Sequence, residues 1–289
     1  MEEFLTTREV ADLLRIKERK VYDLASSGAL PCSKVIGKLL FPRAQIVQWV
    51  AGNAANTEQT RPPVFLGSHD PLLEWALRES RCAMAMLFDS SSDGLKRFAA
   101  HEGIATGLHI HQGAIDDPQW NISAVEQNCM AQPVVLIEWA VRDRGLIVSE
   151  RAADTVKSIA DIGQWTVVPR QPQAGAQQLF DKLVRHHLET TEPEMTEPVR
   201  SEMDMAQVIS SGQADIGFGL RTVAHSHKLH FIPLIRERFD ILIDRRSYFE
   251  SPFQTLLDFC RSTIFEQHAL VLTGYDVSGL GRVHYNSPV

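Results

Sequence analysis

Three short polar stretches in this 289-residue sequence gather hydroxyls, carboxylates, an imidazole and glycines where helices would begin. They are Gly67-Ser68-His69-Asp70, Asp89-Ser90-Ser91-Ser92-Asp93-Gly94 and Gln171-Pro172-Gln173-Ala174-Gly175. A helix start carries unpaired backbone N–H groups and the positive end of the peptide dipole, so it suits an anion. Ser68, Ser90, Ser91 and Ser92 would add neutral donors, and His69, Asp70, Gln171 and Gly175 complete the loops. His109 offers an imidazole N–H, and Arg170 a guanidinium just ahead of the third loop. Any one of these loops reads as an ordinary helix cap. Three in one unit point to a shared cleft for a small oxyanion.

Covalent chemistry fits less well. Ser68-His69-Asp70 has the composition of a nucleophilic triad, but neighbours in sequence point different ways and cannot form the relay. His109 and His111, like His225 and His227, stand two apart, with no cysteine or carboxylate pattern beside them to suggest structural zinc. There is no GxGxxG and no Walker loop. The expectation is a protein with no catalytic residue, no metal and no cofactor.

The positioning elements follow from periodicity. From Val64 onward short apolar strands alternate with amphipathic helices, the pattern of an α/β architecture. Residues 51–63, "AGNAANTEQTRPP", are polar and aperiodic and read as a connector. Ahead of it, Thr6 and Glu9 form a T-x-x-E capping box, and Val10, Leu13 and Leu14 recur at helical spacing. A second helix runs from about Glu18 to Ser27, with Val21, Tyr22, Leu24 and Ala25 inward and Gly28 ending it. Helix, turn, helix suits a major groove, with Lys17, Arg19 and Lys20 near the base edges. "KVIGKLLF" reads as a hairpin about Gly37-Lys38, whose Lys34 and Lys38 would touch phosphates. Pro42 then opens a last helix with Ile46, Val47, Trp49 and Val50 available for the core.

Charge separates the two parts. Residues 1–50 hold eight Lys/Arg and six Asp/Glu, whereas the other 239 residues hold 21 and 30. A balance of −9 would be repelled by a phosphate backbone, so nucleic acid is left to the N-terminal unit. With so few cations one copy binds DNA weakly and loses affinity steeply with salt, which argues for a homodimer with contacts in the larger unit. Cys32, Cys82, Cys129 and Cys260 are scattered without a CxxC pair, which suggests reduced thiols in a cytoplasmic protein. No apolar run reaches the ~18–20 residues of a membrane span, and Glu2 and Glu3 do not suit a signal peptide.

"LTTREVADLLRIKERKVYDLASSGALP" and "GKLLFPRAQIVQWV" resemble the excisionase and MerR-like winged helix-turn-helix family, although its wing arginines are missing here. "LGSHDPLLEWAL", "RDRGLIVSE", "SGQADIGFGLRTVAH", "FDILIDRRSYFESPFQTLLDFCRS" and "GYDVSGLG" resemble the periplasmic-binding-protein-like sensor domain of some helix-turn-helix regulators. That family is related to molybdate- and tungstate-binding proteins. The joint resemblance implies residues 1–52 as a DNA-binding domain, 53–63 as linker and 64–289 as a two-lobed type II clamshell. Lobe one would hold 64–143 and 240–289, and lobe two 144–239.

By the same resemblance Ser68, His69, Asp70 and Ser90 to Ser92 match cleft loops, and His109 falls where the family has a histidine after its third strand. Arg170, Gln171 and Gly175 match the second-lobe loop. There the family tends to read R-Q-x-G-S-G-T-R against "RQPQAGAQ" here, with Ala174 for a serine and Gln177 for an arginine. The implied function is a ligand-responsive transcription regulator that senses molybdate or tungstate, its closure changing dimer geometry and hence DNA affinity. The departures leave open another oxyanion or an organic, molybdenum-cofactor-like ligand. The alternative is an enzyme or carrier for such a molecule.

Overall fold

The computed structural model describes residues 4–28, 30–35, 37–47, 49, 61–187 and 193–289. It divides into a unit of Met1–Thr60 and a unit of Arg61–Val289. Residues 53–60 of the expected linker and Val50 of the expected core lie outside the described residues.

The first unit comprises β1 (Phe4–Leu5), α1 (Thr7–Leu14), α2 (Glu18–Ser26), β2 (Ser33–Val35), β3 (Lys38–Pro42) and a helix α3 over 43–47. Thr6 starts α1 with a reciprocal capping box: its backbone N donates to Glu9 Oε2 at 2.7 Å, and its Oγ1 accepts from Glu9 N at 3.4 Å. After α2 the chain turns at Gly28, whose φ of +72° belongs to the left-handed region that glycine enters without strain. β3 pairs antiparallel with β1 and β2, which makes β2–β3 the expected hairpin.

Leu5, Val10, Ala11, Val21, Leu30, Phe41 and Ile46 form the core of this unit. Three residues expected inside are exposed instead: Leu13 at 46%, Tyr22 at 51% and Val47 at 53%. Each directly precedes or follows a buried or half-buried apolar residue on its helix, and the ~100° step per residue turns it off the inward stripe.

The second unit contains β4 (Val64–Ser68), α4 (Pro71–Glu79), β5 (Ala85–Asp89), α5 (Ser91–Ala99) and β6 (Ala105–Leu108). A small hairpin β7 (His111–Gly113) and β8 (Pro118–Trp120), then α6 (Ile122–Cys129), lead to the long β9 (Val134–Val148). Next come β10 (Thr166–Val167), α7 (Gly175–His187), β11 (Glu194–Met195), α8 (Glu202–Ser210), β12 (Ile216–Leu220) and α9 (Arg221–Ser226). The chain closes with β13 (His230–Asp244), α10 (Arg245–Tyr248), α11 (Ser251–Cys260), α12 (Thr263–Val271), β14 (Tyr275–Asp276) and β15 (Val283–Asn286).

One sheet runs β11-β10-β12-β9-β13-β6-β4-β5, with β14 and β15 added to β9. Its two ends are parallel and its middle is the antiparallel pair β9/β13. Apolar clusters cover both faces of each end. On the β4–β6 side, one holds Trp139, Phe239 and Phe253 and the other Leu95, Phe98 and Val125. On the β10–β12 side, one holds Phe180 and Phe218 and the other Met205 and Val223. Two lobes thus share two 15-residue strands.

Two boundaries differ from the sequence reading. Trp120 packs in the second-lobe cluster, so the β7–β8 hairpin sides with the lobe opposite to the one expected for residue 120. Arg61, expected in the connector, is anchored in the second unit. Its guanidinium donates to the carbonyls of Phe98 (2.6 Å) and Gly103 (3.0 Å) and to Gln132 Oε1 (2.7 Å), and it lies over the Phe98 ring.

Candidate functional site

In open α/β sheets the carboxyl ends of parallel strands, where the strand order reverses, form a crevice. Here the residues that follow the ends of β4, β5 and β6 in one lobe, and of β10 and β12 in the other, line one cleft of about 670 Å³.

The first wall is built on close backbone contact. Gly67 has φ of +91°, and a Cβ on Gly94 would lie 2.2 Å from Gly67 Cα, so α5 can rest directly on the end of β4. That approach brings Ser68 Oγ to 2.8 Å from Ser91 Oγ, and Ser91 Oγ accepts the His109 N–H at 3.0 Å. Ser90 caps α5 by accepting from Asp93 N at 3.1 Å. His69 lies 2.6 Å from Glu74 Oε2 and edge-on to Phe88. His109 Nδ1 is 3.0 Å from Glu237 Oε2, and burial holds its imidazole below the ordinary range despite that carboxylate. Gly175, at the start of α7 in the other lobe, faces the same ring. A Cβ there would lie 3.3 Å from His109 Cε1.

The second wall carries Arg144, Arg170, Arg200, Ser201 and Glu202. Arg144 donates to Glu202 Oε1 at 2.7 Å, and its Nε lies 2.7 Å from Glu237 Oε2 at ion-pair distance without hydrogen-bond alignment. Glu202 Oε2 accepts the Leu220 N–H at 3.0 Å. Burial alone would raise the Glu202 carboxyl, but Arg144 and Arg170 hold it below its usual value. Arg170 donates to the Arg200 carbonyl at 2.5 Å, while its buried Nε has no partner among the described residues. Ser201 and Asp204 form a capping box at the start of α8.

Of the ten residues expected at the ligand, Ser68, His69, Ser90, His109, Arg170, Gln171 and Gly175 line the cleft, whereas Asp70, Ser91 and Ser92 do not. The Asp70 carboxylate is fully buried and already used. It accepts from Leu73 N (2.8 Å), Trp139 Nε1 (3.1 Å), Arg142 (2.8 Å) and Tyr275 (2.7 Å). Ser91 stands behind Ser68, and Ser92 lines a separate small hollow with His111 and Lys182. Gln177, where the resembled pattern has an arginine, braces the Arg170 loop: its Oε1 accepts from Arg170 N at 2.7 Å.

Sequence reasoning missed Arg144, Arg200, Ser201 and Glu202 in the lining. A signal existed for the α8 start, because Ser201-Glu202-Met203-Asp204 repeats the S-x-x-D capping pattern. Beside the expected Arg170, the cleft therefore carries two further guanidiniums, those of Arg144 and Arg200. His109 and His111 have separate partners, the latter lying 3.4 Å from Lys182 Nζ and edge-on to Trp120. In the first unit Lys17, Arg19, Lys20, Lys34 and Lys38 are all exposed, with Lys17 at the α2 N-cap and the two wing lysines on β2 and β3. No described helix is long and apolar enough to cross a membrane.

Two parallel sheet ends joined through antiparallel strands, with a cleft at the carboxyl ends, define a two-lobed type II ligand-binding fold, which follows a helix-turn-helix unit in the sequence. The chain belongs to the family described as PBP superfamily domain, which matches residues 74–261. A second family, described as helix-turn-helix domain, matches residues 4–54. The uncharacterised protein YvgK of Bacillus subtilis (strain 168) is 23% identical over 310 residues, with 96% of each chain covered. Among solved structures, the effector binding domain of QuiR in complex with shikimate superposes with a TM-score of 0.50 at 10% identity, covering 71% of this chain and 96% of that one. The Synechocystis PCC6803 CcmR regulatory domain in complex with 2-PG gives 0.50 at 10% identity, covering 68% and 93%. At such identities these structures show the fold alone.

Proposed function

We propose that this chain is a transcription regulator in which the two-lobed unit binds a small anion and thereby alters the affinity of the helix-turn-helix unit for double-stranded DNA. The observation that carries this reading is the convergence on one cleft of the starts of α4, α5, α7 and α8 with Arg144, Arg170 and Arg200. The DNA contacts would come from Lys17, Arg19, Lys20, Lys34 and Lys38, in a cytoplasmic homodimer reading two half-sites. The shikimate and 2-PG complexes of the two structural neighbours support a small-molecule ligand.

The resemblance named molybdate or tungstate. The carboxylates of Asp89 and Glu202 in the lining, and a volume within the ~300–1,000 Å³ of organic-ligand pockets, favour an organic anion that also carries a hydrogen-bond donor. Native mass spectrometry of protein purified without chelators would weigh whatever the cleft retains. A gel shift on the chain's own promoter then tests the coupling, with molybdate, tungstate and the retained compound as additives. Linkage requires that a ligand which changes DNA affinity has its own affinity changed equally by DNA. Absence of DNA binding at low salt, or DNA binding indifferent to every additive, would overturn the reading. Turnover of the retained compound would favour an enzyme or carrier instead.

A further inference from the structure

The sheet of the second unit ends at β5, which pairs with β4 and with no other described strand. Ala85, Leu87 and Asp89 alternate with Met86 and Phe88, and Ala85 N donates inward to the Pro63 carbonyl. The two-residue period therefore turns the N–H and C=O of Met86 and Phe88 outward, where they meet no backbone partner among the described residues. The side chains do not discourage pairing. Leu87 is 42% exposed, and no charged residue interrupts the sequence between Arg81 and Asp89. Natural sheets blunt such edges with lysine, proline or bulges. This edge carries none of these.

We infer that β5 is the surface through which two copies of this chain associate, adding strand to strand in antiparallel fashion about a two-fold axis. Three features select a second copy over another partner. Open backbone groups call for a strand, and a two-fold axis lets one strand satisfy its own copy. The one charge on β5 is exposed Asp89 at its end, since Arg81 lies outside the strand in a turn at φ +53°. About a two-fold axis at Leu87 antiparallel pairing sets Asp89 of each copy against Ala85 of the other and keeps the two carboxylates apart, whereas parallel pairing would set Asp89 beside Asp89. Finally, residues beyond 50 carry a balance of −9, and a charge-free strip is where two such bodies meet with least repulsion.

The inference rests on the homodimer proposed above and names its surface. It also places Phe88, Asp89 and Ser90 of the cleft on the same strand and loop as the contact. The test is sedimentation velocity on the full chain. The wild type is expected to be a dimer at micromolar concentration. Leu87→Lys, at an exposed position, should raise the dissociation constant at least about tenfold while the circular dichroism and melting temperature stay unchanged. Ala85→Lys, set opposite Asp89 of the second copy, should tighten the dimer, and Ala85→Glu should weaken it, which decides the matter even if Leu87→Lys fails to fold. A dimer that survives Leu87→Lys and is indifferent to both Ala85 changes overturns the strand assignment and leaves the homodimer standing. A wild type that stays monomeric removes both.

Discussion

The two walls of the cleft recognise by different means. The first offers hydroxyls, backbone N–H groups and a neutral imidazole, held by the Gly67–Gly94 contact, with no arginine in its lining. The second offers three arginines, but Arg144 is already engaged by Glu202 and Glu237. Neutral donors on rigid helix starts fix shape at little desolvation cost. Guanidiniums supply attraction, yet a buried one is stable only while its carboxylates stay in place. The cleft thus separates orientation from charge and places the two on different lobes.

The largest effect is expected at Arg144. Arg144→Ala would leave half-buried Glu202 without its ion-pair partner and take from buried Glu237 one of its two arginines, the other being Arg142, and loss of one member of such a pair costs about 3–5 kcal/mol. Urea unfolding should show that loss, together with loss of anion binding. A small change would mean that the second wall is held by something other than its ion pairs.

Protonation gives the next test. Burial keeps the folded His109 pKa below that of the unfolded chain, so below about pH 6.5 the unfolded state binds the extra proton. Stability must then fall as pH drops through that range, with a slope approaching about 1.4 kcal/mol per pH unit for one proton. His101, His111 and His268 are shifted in the same direction, so His109→Gln should reduce the slope without abolishing it. Urea titrations between pH 7.5 and 5.5 measure this, and an unchanged slope would place the proton elsewhere. The smallest effect concerns the caps. Ser90→Ala on one wall and Ser201→Ala on the other should each cost about 1 kcal/mol of stability. If only the Ser90 change also weakens the anion, the neutral wall is the one that orients it.

Local chemistry made much of this legible in the sequence. Capping residues announced α1 and α5, and Gly28 announced the end of α2. Strands followed by polar loops placed Ser68, Ser90 and Gly175 at helix starts that the structure brings together. What stayed hidden depends on long-range pairing. Asp70 looks like any loop carboxylate until Arg142, Trp139 and Tyr275, distant in sequence, close on it. Arg144 sits mid-run in "VVLIEWAVRDRGLIV", where no periodicity marks it as a cleft residue, because both sides of that strand are buried. Tyr22 and Leu13 erred for the opposite reason: apolar neighbours at one helical position share a composition and not a face.

Arg61 gives the short helix α5 a second role. The helix starts at Ser91, beside the cleft, and near its far end the Phe98 carbonyl holds the Arg61 guanidinium where the chain enters the sheet. Nine residues make a rod about 14 Å long. A displacement along the axis of such a rod moves both its ends alike. A push on the Ser90 end along that axis would therefore carry the Phe98 carbonyl, and with it the grip on Arg61.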